Sequence, residues 1–207
     1  MVSFNKKIKF SGDNIMYFER QVDEKGIHSF NNSLKLGNIG EDRIEYFMKR
    51  NYDVKSIVNV SDNPLYQQED VDFIVNLNNG SNLKVEVKTD TYDINFYYEL
   101  ISNMDYNTPG CMVKTKADKI LYYFINLGVA YIIDRVDYQK WFKEHEFDKK
   151  IGDYGIEVPV MITKYPYNYY DSSKTRKYKS KGKVFPITFF EETFKGEYKK
   201  DFYIENK

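Results

Sequence analysis

Apolar positions change their period several times along the chain, and each change marks an element. Over residues 70–77 they alternate, with Val71, Phe73, Val75 and Leu77 on one side and Asp70 and Asp72 on the other, as in a strand with one buried face. Asn78-Asn79-Gly80-Ser81-Asn82 follows, a run whose residues tolerate positive φ and close a tight turn. Alternation then resumes, Leu83, Val85 and Val87 opposing Lys84, Glu86 and Lys88. Residues 69–90 therefore read as a hairpin.

The flanking sequence supplies elements to pack around it. Ile44, Phe47 and Met48 recur at helical spacing within residues 37–51, with Asn51 as a stop. Residues 52–60 read as a strand closed by Ser61-Asp62-Asn63-Pro64, and residues 94–101 as another. After a loop at residues 107–110, Thr115 as N-cap, a stripe of Ile120, Leu121, Phe124 and Leu127, and Gly128 as terminator predict a second helix. A strand over 129–133 and a helix over 137–144 burying Trp141 follow, then two strands, GIEVPVMI and KVFPITFFEETF. Before the first helix, FNKKIKF and NIMYFERQV suit short strands and GIHSFNNSLKLG a loop. The pattern predicts an α/β (α+β) fold with a central mixed sheet flanked by helices. It divides into an N-terminal arm (1–36), a core (37–148) and a β-rich C-terminal extension (149–207).

Composition narrows the chemistry more than it widens it. The 207 residues suffice for one substantial domain. Lys plus Arg and Asp plus Glu each number 31, so no global charge announces a nucleic-acid partner and local patches must carry that case. A single cysteine, Cys111, excludes an internal disulfide and any multi-cysteine zinc site, and two histidines argue against a histidine-rich metal site. The polar N-terminus does not suit a signal peptide and no run suits a membrane span, so the expectation is a cytoplasmic protein without a membrane partner.

Two acids and a lysine gathered on one polar strand face are the feature that calls for explanation. Neighbouring carboxylates repel, and a divalent cation between them removes the repulsion. Mg²⁺ takes oxygen ligands, keeps several waters and is often held by only one or two carboxylates. A lysine two residues beyond a ligand shares its face and can hold a water or stabilise charge on a phosphodiester. The plainer reading is a solvated strand face with a cross-strand ion pair, and acid-x-Lys triplets recur elsewhere, for example at Asp53–Lys55.

Asp72, a short hairpin, then Glu86-Val87-Lys88 resembles the PD-(D/E)xK nuclease superfamily, whose signature is an acid followed by (D/E)-x-K on the next strand. Val71 stands where the motif name has proline. The resemblance extends over roughly residues 37–135. It implies a restriction-endonuclease-like fold and a metal-dependent nuclease acting most naturally on DNA. Asp72 and Glu86 would hold Mg²⁺ (or Mn²⁺), the Val87 carbonyl would be a further ligand, and Lys88 would position or activate water. The helix over 37–51 resembles the first core helix, which often supplies another acid. Glu41 either reaches the metal, directly or through water, or simply faces the helix dipole. Glu99 is either an auxiliary acid or a solvated strand end, and Asp70 is an alternative to Asp72. Dimers occur among such proteins, which makes a second copy of the chain a candidate partner.

Nucleic-acid contacts have two candidate sources. Lys114 and Lys116 lie at the start of the expected second helix, where lysines and free N–H groups together can hold a phosphate, or they serve ordinary capping. Lys174, Arg176, Lys177, Lys179, Lys181 and Lys183 form an acid-free run beside Tyr165, Tyr167, Tyr169 and Tyr170, suited to phosphates and unpaired bases or to a solubilising loop. The alternative function is therefore a non-catalytic nucleic-acid-binding or host-interaction protein of the same fold.

Overall fold

A computed structural model gives the chain's structure at residues 18, 27–164 and 169–202, with 161–164, 169–174 and 202 described by backbone alone. The expected hairpin forms from β2 (Phe73–Leu77) and β3 (Asn82–Asp90), paired antiparallel with Phe73 opposite Val85. Gly80 takes φ +87° in its turn, a conformation that an L side chain would resist. β1 (Val54–Asn59) adds to β2, while β6 (Lys119–Phe124) lies parallel to β3 and is followed by antiparallel β7 (Val129–Asp134) and β10 (Tyr198–Phe202). The result is a mixed sheet in the order β1-β2-β3-β6-β7-β10. A second, antiparallel sheet contains β5 (Thr108–Pro109), β4 (Asn95–Asn103), β9 (Tyr169–Pro186) and β8 (Gly152–Lys164), in that order. Residues after 148 thus complete both sheets.

Two apolar layers hold the mixed sheet. On one face, Leu36, Ile44, Phe47 and Met48 of α1 (Phe30–Asn51) pack on Phe73, Val75, Val85, Val87, Leu121 and Tyr123. On the other, Ile120, Tyr122 and Tyr131 meet Phe96 and Phe185 of the second sheet, Trp141 of α4 (Arg135–His145) and Phe190 of α5 (Ile187–Thr193). Phe96 is the hub, its ring 4.7–5.6 Å from those of Tyr122, Phe190, Tyr131, Phe124 and Phe185. Here the chain spends much of its aromatic content. Among the described residues no helix is long and apolar enough to cross a membrane.

Four sequence expectations need correction. α1 begins at Phe30, with Ser29 as N-cap accepting the Asn32 N–H, seven residues before the expected start. Gly37 and Gly40 disguised it, yet Gly40 is required for packing: a Cβ there would overlap the Thr89 hydroxyl, so α1 lies directly on β3. The expected second helix is the β6–β7 hairpin, preceded by the four-residue α3 (Cys111–Lys114). Residues 120–124 are buried on both faces, and such a strand shows a continuous apolar run that periodicity cannot tell from a helix. Thr115 caps the end of α3, and Gly128, at φ +62°, turns the hairpin. The basic stretch is not a loop but most of β9. Finally, ITFFEET leaves the strand at Pro186 to form α5, because Phe189 and Phe190 are both buried and Phe190 stacks on Phe194 at helical spacing. The N-terminal strands expected over residues 4–10 and 14–22 lie outside the described residues, apart from Phe18.

The Gly40 contact yields a direct prediction. Helix propensity alone would favour Gly40→Ala by about 1 kcal/mol. Because the methyl must displace Thr89, we expect net destabilisation of about 1–3 kcal/mol, measured as a lower urea midpoint with unchanged slope. A midpoint that rises would refute the close packing.

Candidate active site

The hairpin register brings the motif residues together. Asp70 ends α2 (Pro64–Glu69) in the left-handed region at φ 46°, which turns the chain so that Asp72 enters β2 with its N–H on the Val85 carbonyl (2.9 Å). The Asp72 Oδ2 then accepts the Val87 N–H at 2.8 Å. Glu86 lies beside Asp72, only 8% exposed, and its Oε2 is buried without a hydrogen-bond partner. Lys88 follows on the same strand face. Asp72, Glu86, Val87 and Lys88 all line one cavity of about 580 Å³, and Glu41 and Glu99 line it too.

Burial sets the electrostatics. It pushes the Asp72 carboxyl up to about 7 against the Val87 hydrogen bond, with the Glu41 charge adding to the rise. Glu86 is pushed well above the carboxylate range, first by burial and then by the Asp72 and Asp70 charges. The two side chains are within hydrogen-bonding reach, and only Asp72 has a backbone donor favouring its ionised form. The proton they share therefore resides on Glu86. Lys88 faces the Cys111 sulfur and the Glu99 and Glu86 carboxyls, and it is raised above the ordinary lysine range against the cost of burial. Burial drives the Cys111 thiol far upward, so the sulfur is neutral, and with the shared proton on Glu86 it is Glu99 that supplies the attraction. Lys88 is an ammonium facing two acids.

The remaining sequence candidates separate into groups. Glu41 projects from α1 to the cavity with Oε2 3.2 Å from Asn59 Nδ2, and burial raises its carboxyl. Glu99 Oε2 accepts the Cys111 N–H at 3.0 Å, which fixes it beside Lys88 rather than at a solvated strand end. Asp70 is paired with Lys114 at 3.2 Å, leaving Oδ2 buried without a hydrogen-bond partner. Lys114 closes α3 rather than opening a helix, and Lys116 is exposed beyond it, so no helix N-terminus supports a phosphate site there. The side chain of Lys174 lies outside the described residues, as do Tyr165 and Tyr167 and the side chains of Tyr169 and Tyr170. Arg176 bonds Asp105 (2.7 Å) and the Tyr106 hydroxyl (2.8 Å). Lys177, Lys179, Lys181 and Lys183 alternate with Tyr178, Ser180, Gly182 and Val184, and Tyr178, Ser180 and Val184 line the cavity. The lysines therefore occupy the outer face of β9, Lys179 near Glu157 and Lys183 on Asp153.

Sequence reading missed the rest of the cavity wall. His28 lines it, its N–H on the Glu157 carbonyl (2.8 Å), and burial and then Lys88 lower its basicity. Cys111, Tyr97, Tyr154 and Tyr178 line it as well. A period-two signal was present in Tyr154, Ile156 and Val158, but it gives no hint that this face meets the hairpin.

Among the described residues, no three or more His, Cys, Asp or Glu side chains stand together as a complete metal-binding group. The donors do fit a cation that needs few protein ligands: two facing carboxyls, one carrying a buried unpartnered oxygen. A comparison of the sequence with protein-family models and with curated proteins gives no match.

Proposed function

We propose that the protein is a divalent-metal-dependent nuclease of the PD-(D/E)xK type with a restriction-endonuclease-like core, hydrolysing phosphodiester bonds in DNA. The observation that carries this reading is the convergence of Asp72, Glu86 and Lys88 on one cavity, with a buried Glu86 oxygen that has no partner. Bound at the two carboxylates, Mg²⁺ (or Mn²⁺) would activate water and neutralise charge developing on the phosphodiester. Asp72 is oriented for this by the Val87 N–H, and Glu86 must give up its proton. Lys88, kept charged by Glu99, is placed to hold the attacking water or a phosphoryl oxygen. Glu99, held by the Cys111 N–H, orients Lys88, and Glu41 contributes negative charge at the cavity edge.

One observation favours a second reading. The β9 lysines face away from the acids, so nucleic acid could be bound there without catalysis. The test is cleavage of a panel of duplex, single-stranded, flap and four-way-junction DNA with Mg²⁺ or Mn²⁺, beside Lys88→Ala. We expect metal-dependent cutting that falls by about 10²–10³-fold or more in the variant, the range for losing one preorganised charge-stabilising donor. Salt-sensitive binding without cutting would select the second reading.

A further inference from the structure

The wall facing the acids bears on what the cavity admits. The register aligns Tyr154, Ile156 and Val158 of β8 with Gly182, Ser180 and Tyr178 of β9, and Tyr97 and Glu99 of β4 with Val184 and Gly182. All of these except Gly182 line the cavity. Gly182 is a space-maker, since a Cβ there would overlap the Tyr97 ring, and its absence lets that ring lie over β9. Phe30, at the start of α1, faces the same space. The bond from His28 to Glu157 ties the segment before α1 to β8, closing one side. Phe30 and Tyr154 remain 42% and 39% exposed, large rings on different elements, and the Tyr154 ring stands at 80° to that of Tyr97 with centroids 5.9 Å apart.

We infer that this aromatic wall is the base-binding side of the site, and that the substrate enters as single-stranded DNA, a frayed end or an extruded nucleotide rather than as intact duplex. The inference rests on the nuclease reading for its chemistry, with the phosphodiester meeting Asp72, Glu86 and Lys88 while the base stacks on Tyr154, Tyr178 and Phe30. Two observations carry it beside the exposed rings. The cavity, about 580 Å³, has the size of a small-ligand pocket. Enzymes that work in such pockets take their nucleotide out of the stack. Lys88 is the only Lys or Arg lining the cavity among the described residues, so no row of cations tracks a duplex backbone there. Rings provide sequence-tolerant affinity where cations are missing, because every base has a π face.

The experiment measures binding of a fluorescent single-stranded oligonucleotide and of a covalently closed dumbbell duplex to full-length Glu86→Gln protein, alone and with Tyr154→Ala, Phe30→Ala, Tyr178→Ala or Tyr154→Phe. We expect the single strand to bind at least about tenfold more tightly than the dumbbell. Each alanine variant should weaken it by about five- to 150-fold, the range for losing one stacked base, and Tyr154→Phe should not. Tyr154 and Phe30 are exposed enough for truncation to leave the fold intact, so a misfolded Tyr178→Ala would not decide the matter. Equal affinity for strand and dumbbell, or alanine variants that bind like the parent, overturns the inference. Wild-type cleavage is assayed in parallel. Ring-dependent single-strand binding without any cleavage would keep the base-binding wall and remove the nuclease reading. Equal cutting of dumbbell and single strand would keep the nuclease and remove the inference.

Discussion

Glu86→Gln is expected to eliminate metal-dependent cleavage and, in the metal-free protein, to make the fold more stable at alkaline pH. The two effects share one cause. Glu86 is buried beside Asp72 with one oxygen unpartnered, and burial drives its carboxyl well above the ordinary range. An acid whose folded pKa lies above its unfolded value binds more protons when folded. Stability therefore falls as pH rises from the unfolded pKa toward the folded one, by up to about 1.4 kcal/mol per pH unit and group. Glutamine cannot ionise, and its amide can still donate to Asp72, so it keeps the contact and removes the penalty. Near pH 5 the variant should melt close to wild type. Near pH 8 it should melt higher, by about 2–4 °C for each kcal/mol recovered in a chain of this size. Cleavage should meanwhile drop by about 10³-fold or more, since an amide cannot supply the carboxylate charge. Thermal unfolding in chelator, across pH, with cleavage measured in parallel, reads both. A solvated strand-face glutamate would change neither, and a variant that still cuts would remove Glu86 from the site.

What the sequence made legible follows the range of the interactions. The β2–β3 hairpin could be read because its alternation, its Asn-Gly turn and its motif residues lie within about twenty positions, where local rules operate. Asp72, Glu86 and Lys88 were legible for the same reason. β6 was not, since its character comes from being sandwiched between β3 and β7, and burial on both faces erases alternation. α1 looked shorter than it is because its glycines serve contact with Thr89 rather than termination. Asn63-Pro64 has the composition of a turn, yet Asn63 caps α2 and Pro64 occupies its first turn.

The site divides along the same line. Glu99 acquires its place on the cavity wall from the Cys111 N–H, and the tyrosine wall from β9 crossing to pair with β4; both depend on contacts between separate elements. In the basic stretch it is the loop that gives way: the segment is a strand, whose alternation keeps Lys177, Lys179, Lys181 and Lys183 together on the outer face while Tyr178 and Ser180 face the acids. A run of like charges does not show which way it points. In a strand, every second residue decides that.

Mg²⁺ should raise the melting temperature strongly near pH 8 and weakly near pH 5.5, and Asp72→Asn should abolish the difference. In the metal-free protein the Asp72 carboxyl is pushed up to about 7 and burial drives Glu86 well above the ordinary carboxylate range, so below neutrality a cation must displace protons to gain its ligands. Above neutrality the proton on Asp72 is already leaving, and the ion relieves carboxylate repulsion that otherwise destabilises the fold. The pH dependence has the sign of a competition: more protons, less metal-linked stability. At a metal concentration a hundred times the dissociation constant, the linkage contributes about 2.7 kcal/mol. At about 2–4 °C per kcal/mol, that is roughly 5–10 °C. Sodium chloride at matched ionic strength should not reproduce it, because screening acts on exposed charges and these carboxyls are largely buried. A shift independent of pH, or one that Asp72→Asn retains, would mean that the ion binds elsewhere. This readout needs no substrate, so it tests the two carboxylates as a metal site independently of cleavage.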